Sequence, residues 1–321
     1  MTDLVTGRLK MSPAAVVVAN STRVKFVGCS FTQLGAWGLR ILNASQDTEV
    51  SRCMFDDLSG GGVCVGNEYD AGETREVFQT ARVVVEDNAL TNLGQDYRGS
   101  TGIHTFCTRD SSISHNLIRE VTYSGLSYNW PSPQGPTSGP GDGDSTVGYS
   151  RNNRVDGNDV SRYMSYMLDG GGIHTVGRST NTSVSRNYFH DVASGSTCGA
   201  TRCHSKLSQS SIYIDNWSAG FTINDNVVIN TTGIIEGWMF FQYFAGDRSH
   251  AAAHDNFAAN NTICRAGPVP PPRDPYDLVK GPNVTGTVNV TADAATRGGC
   301  LAALPRGAAA VVRAAGPRPT L

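Results

Sequence analysis

The chain has 321 residues, with 26 lysines and arginines against 28 aspartates and glutamates, so its formal net charge is −2. This balance argues against the basic surface of a nucleic-acid-binding protein. No apolar stretch is long enough to span a bilayer, and we therefore expect neither a nucleic-acid partner nor a membrane partner.

One short pattern recurs along the chain: an apolar residue, two others, Asn or Cys, then an apolar residue two positions later. It starts at Phe26, Val50, Val85, Ile113, Val155, Val184, Ile223 and, in a weak last copy, Ala253. These starts are 24, 35, 28, 42, 29, 39 and 30 residues apart, which indicates one coil plus loops of variable length. The runs alternate like strands with one buried face. The sequence therefore predicts an all-β fold, a right-handed parallel β-helix of about eight coils.

The Asn or Cys position of the pattern predicts a ladder of stacked side chains inside the turns. We expect each Asn amide to donate a hydrogen bond to the Asn one coil away, and each bond to contribute about 1 kcal/mol. Cys29 and Cys53 are expected to stack as free thiols, with a disulfide between them as the alternative. The ladder consists of Cys29, Cys53, Asn88, Asn116, Asn158, Asn187, Asn226 and Asn256.

A second strand follows each ladder turn, and in most coils it begins with a glycine that marks a bend between sheets. Side chains alternate along a strand, and coils stack about 4.8 Å apart. One outward row is therefore predicted, and we expect it to line a groove. The row contains Arg40, Cys64, His104, Ser127, His174 and Tyr213.

Composition shifts suggest how the chain is organised. We expect the β-helix to occupy residues 1–264, with 1–19 as an entry segment or the end of a further coil. Residues 265–321 are expected to be a C-terminal cap or linker, partly disordered, with one last strand over 284–290. Loops over 68–80, 131–150 and 193–209 are expected to supply groove walls. The chain is expected to be part of a longer protein.

The cysteines and glycosylation sequons bear on the compartment. Cys198 and Cys203 are expected to form a small disulfide or stay free; a metal site with His204 is the less favoured reading. No metal or other cofactor is predicted. Eight Asn-x-Ser/Thr sequons support an extracellular or secretory location, although residues 1–20 contain no convincing secretory signal.

Two aspartates are the candidate catalytic residues. Asp169 precedes three consecutive glycines, which would let a ligand approach the backbone closely. Asp215 lies at a strand end beside Trp217, and aromatic faces stack on sugar rings. Two carboxylates flanking a glycosidic bond are the minimum set for hydrolysis. The structural alternatives are that Asp169 caps its glycine turn and that the tryptophans only pack loops.

Several stretches in order resemble the β-helix region of family-141 glycoside hydrolases and their uncharacterised relatives. The resemblance covers roughly residues 15–265 and implies a hydrolase of plant-type linkages, such as α-L-fucosides and xylan. Asp169 and Asp215 match the two aspartate motifs of that family. The stretches are GGGVCVG (60–66), SHNLIREVTYSGLSYNW (114–130), LDGGGIHTVG (168–177), SRNYFHDV (185–192) and SIYIDNWSAGFTINDNVVIN (211–230).

The register of the two acids poses a geometric problem. In a straight rung they would lie about 23 Å apart, whereas a hydrolytic pair needs roughly 5–9.5 Å between carboxyl groups. Either the bend at Gly170–Gly172 folds the chain back, or one acid works with another partner. Glu236 is the first substitute and Glu68 the second.

We therefore expect a carbohydrate-active enzyme that hydrolyses a glycosidic bond in a polysaccharide, with Asp169 and Asp215 as the catalytic pair. A polysaccharide lyase or epimerase on the same scaffold is one alternative, and a non-catalytic carbohydrate-binding β-helix is another. The residues expected to bind substrate are His104, His174, Tyr213, Trp217, Glu236 and Trp238.

Overall fold

The structure is a computed structural model. It describes residues 11–67, 70–128, 149–167, 169–193, 209–215, 218–230, 239–241, 256–266, 284–285, 288–292 and 297–319.

Three parallel sheets run the length of the molecule, and neighbours within each sheet come from successive coils. Sheet 1 contains β1 (Ala14–Ala19), β4 (Trp37–Leu42), β7 (Val63–Val65), β10 (Ile103–Thr105), β13 (Leu126–Tyr128), β16 (Gly170–Thr175), β19 (Gln209–Ile214) and β22 (Met239–Phe241). Sheet 2 contains β2 (Lys25–Val27), β5 (Glu49–Ser51), β8 (Val84–Glu86), β11 (Ser112–Ser114), β14 (Arg154–Asp156), β17 (Arg178–Ser185), β20 (Ala219–Asn224), β23 (Phe257–Ala259) and β25 (Val284–Thr285). Sheet 3 contains β3 (Ser30–Leu34), β6 (Met54–Leu58), β9 (Ala89–Leu93), β12 (Leu117–Val121), β15 (Asp159–Ser161), β18 (Tyr188–His190), β21 (Val227–Asn230), β24 (Thr262–Ala266) and β26 (Val288–Ala292).

Each coil runs from a strand of sheet 2 to one of sheet 3 and then to one of sheet 1, so that coil 1 is β2, β3 and β4. This order confirms the predicted parallel β-helix. Strand β1 lies in sheet 1 beside β4, which makes residues 14–19 the end of a further coil. The last strand predicted over 284–290 is two strands instead, because β25 and β26 join different sheets.

The interior of the coils is filled by one apolar residue from each short strand. In sheet 1 these residues stand in register and are fully or almost fully buried: Leu39, Val63, Ile103, Leu126, Ile173 and Ile212. All of them except Ile212, which follows Ser211, are preceded by a glycine at a bend with no room for a side chain. A Cβ on Gly125 would lie 2.3 Å from Val160, and one on Gly172 would lie 2.5 Å from Phe189. The glycine bends read from the sequence are therefore steric requirements.

The predicted asparagine ladder lies at the corner between sheets 2 and 3. Each Nδ2 donates to Oδ1 of the next member: from Asn88 at 2.9 Å, Asn116 at 3.0 Å, Asn158 at 2.8 Å, Asn187 at 3.0 Å and Asn226 at 3.0 Å. All of these side chains are fully buried. Cys29 and Cys53 occupy the ladder positions of the first two coils as free thiols, as predicted.

The last ladder residue is Asn261, and the prediction of Asn256 was wrong. Asn226 donates to Oδ1 of Asn261, whereas Asn256 immediately precedes β23 and accepts from the backbone N–H of Phe221 at 3.1 Å. Asn256 thus belongs to the corner between sheets 1 and 2. The strand after a ladder residue belongs to sheet 3. The strand after Asn256 is β23 of sheet 2, and the weak last copy of the pattern did not distinguish the two.

The C-terminal segment forms a strap along the outside of the coils. It comprises α1 (Arg297–Ala303), α2 (Arg306–Ala314) and residues 315–319, and its apolar side chains pack with Val227, Ile229 and Cys264 of sheet 3. A disulfide joins Cys264 in coil 8 to Cys300 in α1.

The other end of the strap reaches back to coil 3. The backbone N–H of Gly316 donates to the carbonyl of Gly157 at 2.8 Å. Arg318 then makes salt bridges to Glu86 at 2.7 Å and to Asp87 at 2.6 Å. The strap therefore connects coils that are far apart along the stack. The division of the chain at residue 264 stays a prediction.

The three loops predicted to wall a groove differ in their connections. The segments 68–80 and 131–150 both lead from sheet 1 to sheet 2, whereas 193–209 leads from sheet 3 to sheet 1. In the first loop, two short 3₁₀ helices span Asp70–Gly72 and Glu76–Phe78. Most of the other two loops, including Cys198, Cys203 and His204, lies outside the described residues. No helix in the described segments is long and apolar enough to cross a membrane.

Candidate active site

The predicted row of residues on sheet 1 is confirmed by the strand register. Arg40 lies opposite Cys64, and the row continues through His104, Ser127, His174 and Tyr213. From Cys64 onward, however, each member is no more than 3% exposed. The row is therefore not the open floor of a groove, because its side chains pack against one another and against the adjoining corners.

A histidine and a tyrosine from adjacent strands form the centre of the site. His174 of β16 pairs in register with Tyr213 of β19. Their rings meet edge to face, with centroids 4.9 Å apart and an interplanar angle of 88°. This contact fixes both rings, so that the hydroxyl of Tyr213 and the two nitrogens of His174 have defined partners.

Asp169 reaches this ring pair through Tyr213. The hydroxyl of Tyr213 donates a 2.7 Å hydrogen bond to Oδ1 of Asp169. Asp169 is half-buried and has a φ of +68°, immediately before the first glycine of β16. Asp169 shares this left-handed conformation with 22 other non-glycine residues of the described chain, many of which lie at the corners of the coils.

The chain is bent at the glycines that follow Asp169. The hydroxyl of Tyr123 donates to the backbone carbonyl of Asp169 at 2.5 Å and also lies 3.5 Å from Nδ1 of His174. If residues 169–174 were fully extended, their ends would lie about 16 Å apart. A single hydroxyl can contact both only because the segment at Gly170–Gly172 is bent.

Asp215 reaches the same ring pair through His174. Its Oδ2 lies 2.9 Å from Nε2 of His174, and the exposed fractions of the two residues are 4% and 2%. A carboxylate accepts a hydrogen bond but cannot donate one, so a proton lies on Nε2 or Oδ2. The other carboxyl oxygen, Oδ1, is buried and has no hydrogen-bond partner among the described residues.

The electrostatics of the site keep both tyrosines neutral. Burial, followed by the charges of Asp215 and Asp169, raises the pKa of Tyr213 far above its ordinary value. Burial and the same two carboxylates also strongly raise the pKa of Tyr123. Both hydroxyls are therefore proton donors in hydrogen bonds over the ordinary pH range.

The structure places the remaining predicted residues as follows. His104 lies two coils from His174 and packs between Trp37 and Phe106, with ring centroids at 6.2 Å and 4.5 Å. It is not brought to the cluster at Asp169. Trp217, Glu236 and Trp238, and the second substitute Glu68, lie outside the described residues.

Tyr123 is the member of the site that sequence reasoning missed. It lies at the corner between sheets 3 and 1, in a short loop before Gly125, where the alternating pattern gives no indication of direction. One sequence feature could have identified Tyr123: it lies one coil before Asp169, at the equivalent corner. In the described part of the chain, no cluster of three His, Cys, Asp or Glu side chains could hold a metal ion.

Comparisons with known proteins bear on the fold and on the class of site. A family model described as "Right handed beta helix region" matches residues 38–263. A solved structure titled "Glycoside hydrolase" is 25% identical with a TM-score of 0.67, covering 97% of this chain and 41% of its own. An alginate lyase from Paenibacillus sp. str. FPU-7 is 12% identical with a TM-score of 0.47, covering 85% of this chain and 76% of its own.

This chain thus spans less than half of the glycoside hydrolase that it resembles. No curated protein matches the sequence. The family model covers most of the chain and nearly all of the coils, so the chain belongs to the right-handed β-helix family.

Proposed function

We propose that the chain is a carbohydrate-active enzyme, or the β-helix of one, that hydrolyses a glycosidic bond in a polysaccharide. One observation carries the proposal: Asp169 is hydrogen-bonded to Tyr213, Asp215 is hydrogen-bonded to His174, and the rings of Tyr213 and His174 pack against each other. The likeness to a solved glycoside hydrolase supports the reaction class. The resemblance of the motifs to family-141 enzymes supports a plant-type linkage as the substrate.

The two carboxylates differ in their surroundings, and this difference suggests their roles. Asp169 is half-buried and accepts a hydrogen bond from Tyr213. It fits the base or the nucleophile of a glycosidase. Asp215 shares a proton with His174, so that pair fits the acid, which must supply a proton to the leaving oxygen.

The surrounding side chains fit the task of positioning. His174 and Tyr213 hold the two acids through hydrogen bonds. Trp217, Glu236 and Trp238 stay predicted contributors to sugar binding, as does His104.

A polysaccharide lyase is the second candidate, and the contact between Tyr123 and His174 favours it. A lyase needs a side chain that removes a proton from the sugar ring, and tyrosine and histidine are suitable types. Burial acts against a tyrosine base here, because the raised pKa values of Tyr123 and Tyr213 disfavour the phenolate form. We therefore place hydrolysis first.

Isotopically labelled water separates the two reactions. The chain would be incubated with a panel of α-L-fucosides, xylans and uronate polymers in water enriched in heavy oxygen. A hydrolase places solvent oxygen in the new reducing end, whereas a lyase instead creates a carbon–carbon double bond that absorbs ultraviolet light. Hydrolysis is overturned if the products are unsaturated and contain no solvent oxygen.

Variants test the assignment of the two acids. Asp169→Asn and Asp215→Asn should each lower the turnover rate at least about a hundredfold. Asp159→Asn is the matched control, because Asp159 contacts His190 at 2.8 Å on sheet 3, away from the site. If both site variants retain full turnover, the assignment fails. If the parent chain binds sugars but turns over none, the non-catalytic reading is correct.

We also propose that the chain works outside the cytoplasm. The disulfide between Cys264 and Cys300 is of a kind that persists in oxidising compartments. Thiol labelling and mass spectrometry of protein from the native host test this. Recovery of both cysteines in reduced form would contradict it.

A further inference from the structure

Two exposed tyrosines and an arginine belong to the corner that precedes sheet 1. Tyr97 and Arg98 belong to coil 3, and Tyr166 belongs to coil 5. The guanidinium carbon of Arg98 lies 5.0 Å from the centre of the Tyr166 ring. The intervening coil contributes Tyr123 at the same corner. We call Tyr97, Arg98 and Tyr166 the corner platform.

The exposure of these rings distinguishes them from the other tyrosines. Tyr97 and Tyr166 are each 40% exposed, and every other tyrosine in the described residues is buried or half-buried. Aromatic side chains contribute most when they are buried. Two exposed tyrosines at one corner therefore indicate a surface that is covered by something else.

The backbone beneath the platform is held firmly. The N–H of Tyr97 donates to the carbonyl of Ser59 at 2.8 Å, and the N–H groups of Tyr166 and Met167 donate to the carbonyl of Thr122 at 3.0 and 2.9 Å. The two tyrosines are thus presented on a hydrogen-bonded backbone.

The platform is continuous with the candidate active site. Thr122, which anchors Tyr166, is followed directly by Tyr123, whose hydroxyl donates to the carbonyl of Asp169. Asp169 itself is only three residues after Tyr166 in the chain. A polymer that placed one linkage at Asp169 would reach the platform with a neighbouring sugar.

We propose that Tyr97, Arg98 and Tyr166 form a sugar-binding subsite for a pyranose ring of the polysaccharide, away from the reacting bond. The C–H face of a pyranose packs on a phenol ring, and Arg98 donates to its hydroxyl groups. Arg98 is exposed to solvent. This inference rests on the proposed function only for the position of the reacting bond.

An exposed ring on another sheet supplies a control. Phe257 of β23 is 55% exposed and belongs to sheet 2, whereas the corner platform lies between sheets 3 and 1. Phe257→Ala therefore removes an exposed ring of similar size without touching the platform.

The experiment measures binding separately from turnover. Asp169→Asn protein, which is expected to bind without cleaving, would be titrated with the soluble xylans and fucosylated polysaccharides of the activity panel, and with their disaccharides. Adding Tyr166→Ala or Tyr97→Ala should weaken polysaccharide binding about tenfold and leave disaccharide binding unchanged. Adding Phe257→Ala should change neither.

The outcomes separate this inference from the proposed reaction. Equal polysaccharide binding with and without the tyrosines overturns the platform, as does the absence of binding to every polysaccharide tested. Platform-dependent binding with no turnover by the parent chain would overturn hydrolysis and leave the platform standing. Circular dichroism of each variant verifies that the coils are intact, and Arg98→Ala provides a second variant without loss of a ring.

Discussion

The hydroxyl of Tyr213 donates a 2.7 Å hydrogen bond to Oδ1 of Asp169, across 44 positions of sequence. This bond exists because β16 and β19 are adjacent in sheet 1 and because the glycine bend returns Asp169 toward the row. It determines which carboxyl oxygen stays available for chemistry.

Tyr213→Phe should lower kcat about 10- to 100-fold, because a hydrogen bond to a charged group is worth roughly 1.5–3 kcal/mol. Steady-state kinetics on a substrate from the activity panel measure this change. Tyr163→Phe is the control, since Tyr163 hydrogen-bonds Ser211 at 2.9 Å and lies in the core. Equal losses of kcat in the two variants would show that Tyr213 has only a structural role.

Alkaline pH should destabilise the protein through the two site tyrosines. Their pKa values are raised in the folded state, so the folded protein binds their protons more tightly than the unfolded chain. The stability is fully present below the ordinary tyrosine pKa of about 10 and is lost as the pH rises above it. Thermal melting as a function of pH measures the slope. The double variant Tyr123→Phe and Tyr213→Phe should show a shallower alkaline slope, and an unchanged slope would contradict the prediction.

Asn158→Ala should lower the free energy of unfolding by about 3 kcal/mol, because it breaks the asparagine ladder at its middle. Asn158 is fully buried, donates to Asn187 and accepts from Asn116. Urea unfolding gives the value. Asn224→Ala is the comparison, since half-buried Asn224 accepts one backbone hydrogen bond at 3.1 Å and should lose about 1 kcal/mol. If both variants lost a similarly small free energy of unfolding, the ladder would not contribute the predicted stability.

Replacing Cys264 and Cys300 together by serine should lower the free energy of unfolding by about 3–4 kcal/mol. The disulfide closes a separation of 36 residues, and such a cross-link restricts the unfolded chain. Differential scanning calorimetry with and without reductant makes the measurement. A reductant should destabilise the parent chain and leave the double variant unaffected. Cys29→Ser, which removes a free thiol, should not abolish the response to reductant.

The repeat could be predicted because a coil imposes its period on the sequence. Asn88, Asn116, Asn158, Asn187 and Asn226 stack as expected, since a buried amide needs a partner in the next coil. The error at Asn256 arose where the pattern was weakest. There an asparagine at a different corner also satisfies a buried backbone N–H, so residue type alone did not identify the turn.

The site was less predictable than the coils, because its members are joined by bends rather than by the period. The predicted row contained His174 and Tyr213, and the three glycines suggested a bend after Asp169. The alternation of side chains along a strand does not indicate how closely such a bend brings Asp169 to the row. Tyr123 was missed for this reason. The disulfide was missed too, since Cys264 and Cys300 lie in different kinds of element and no spacing connects them.

The strap alters how the stack should come apart. Solenoids are held by contacts between neighbouring units, so they can fray from one end while the other stays folded. Here the last helices are bonded covalently at coil 8 and ionically at coil 3. Unfolding of the final coils would therefore also break contacts that the strap makes with the early coils. The molecule should unfold in a single cooperative step rather than coil by coil.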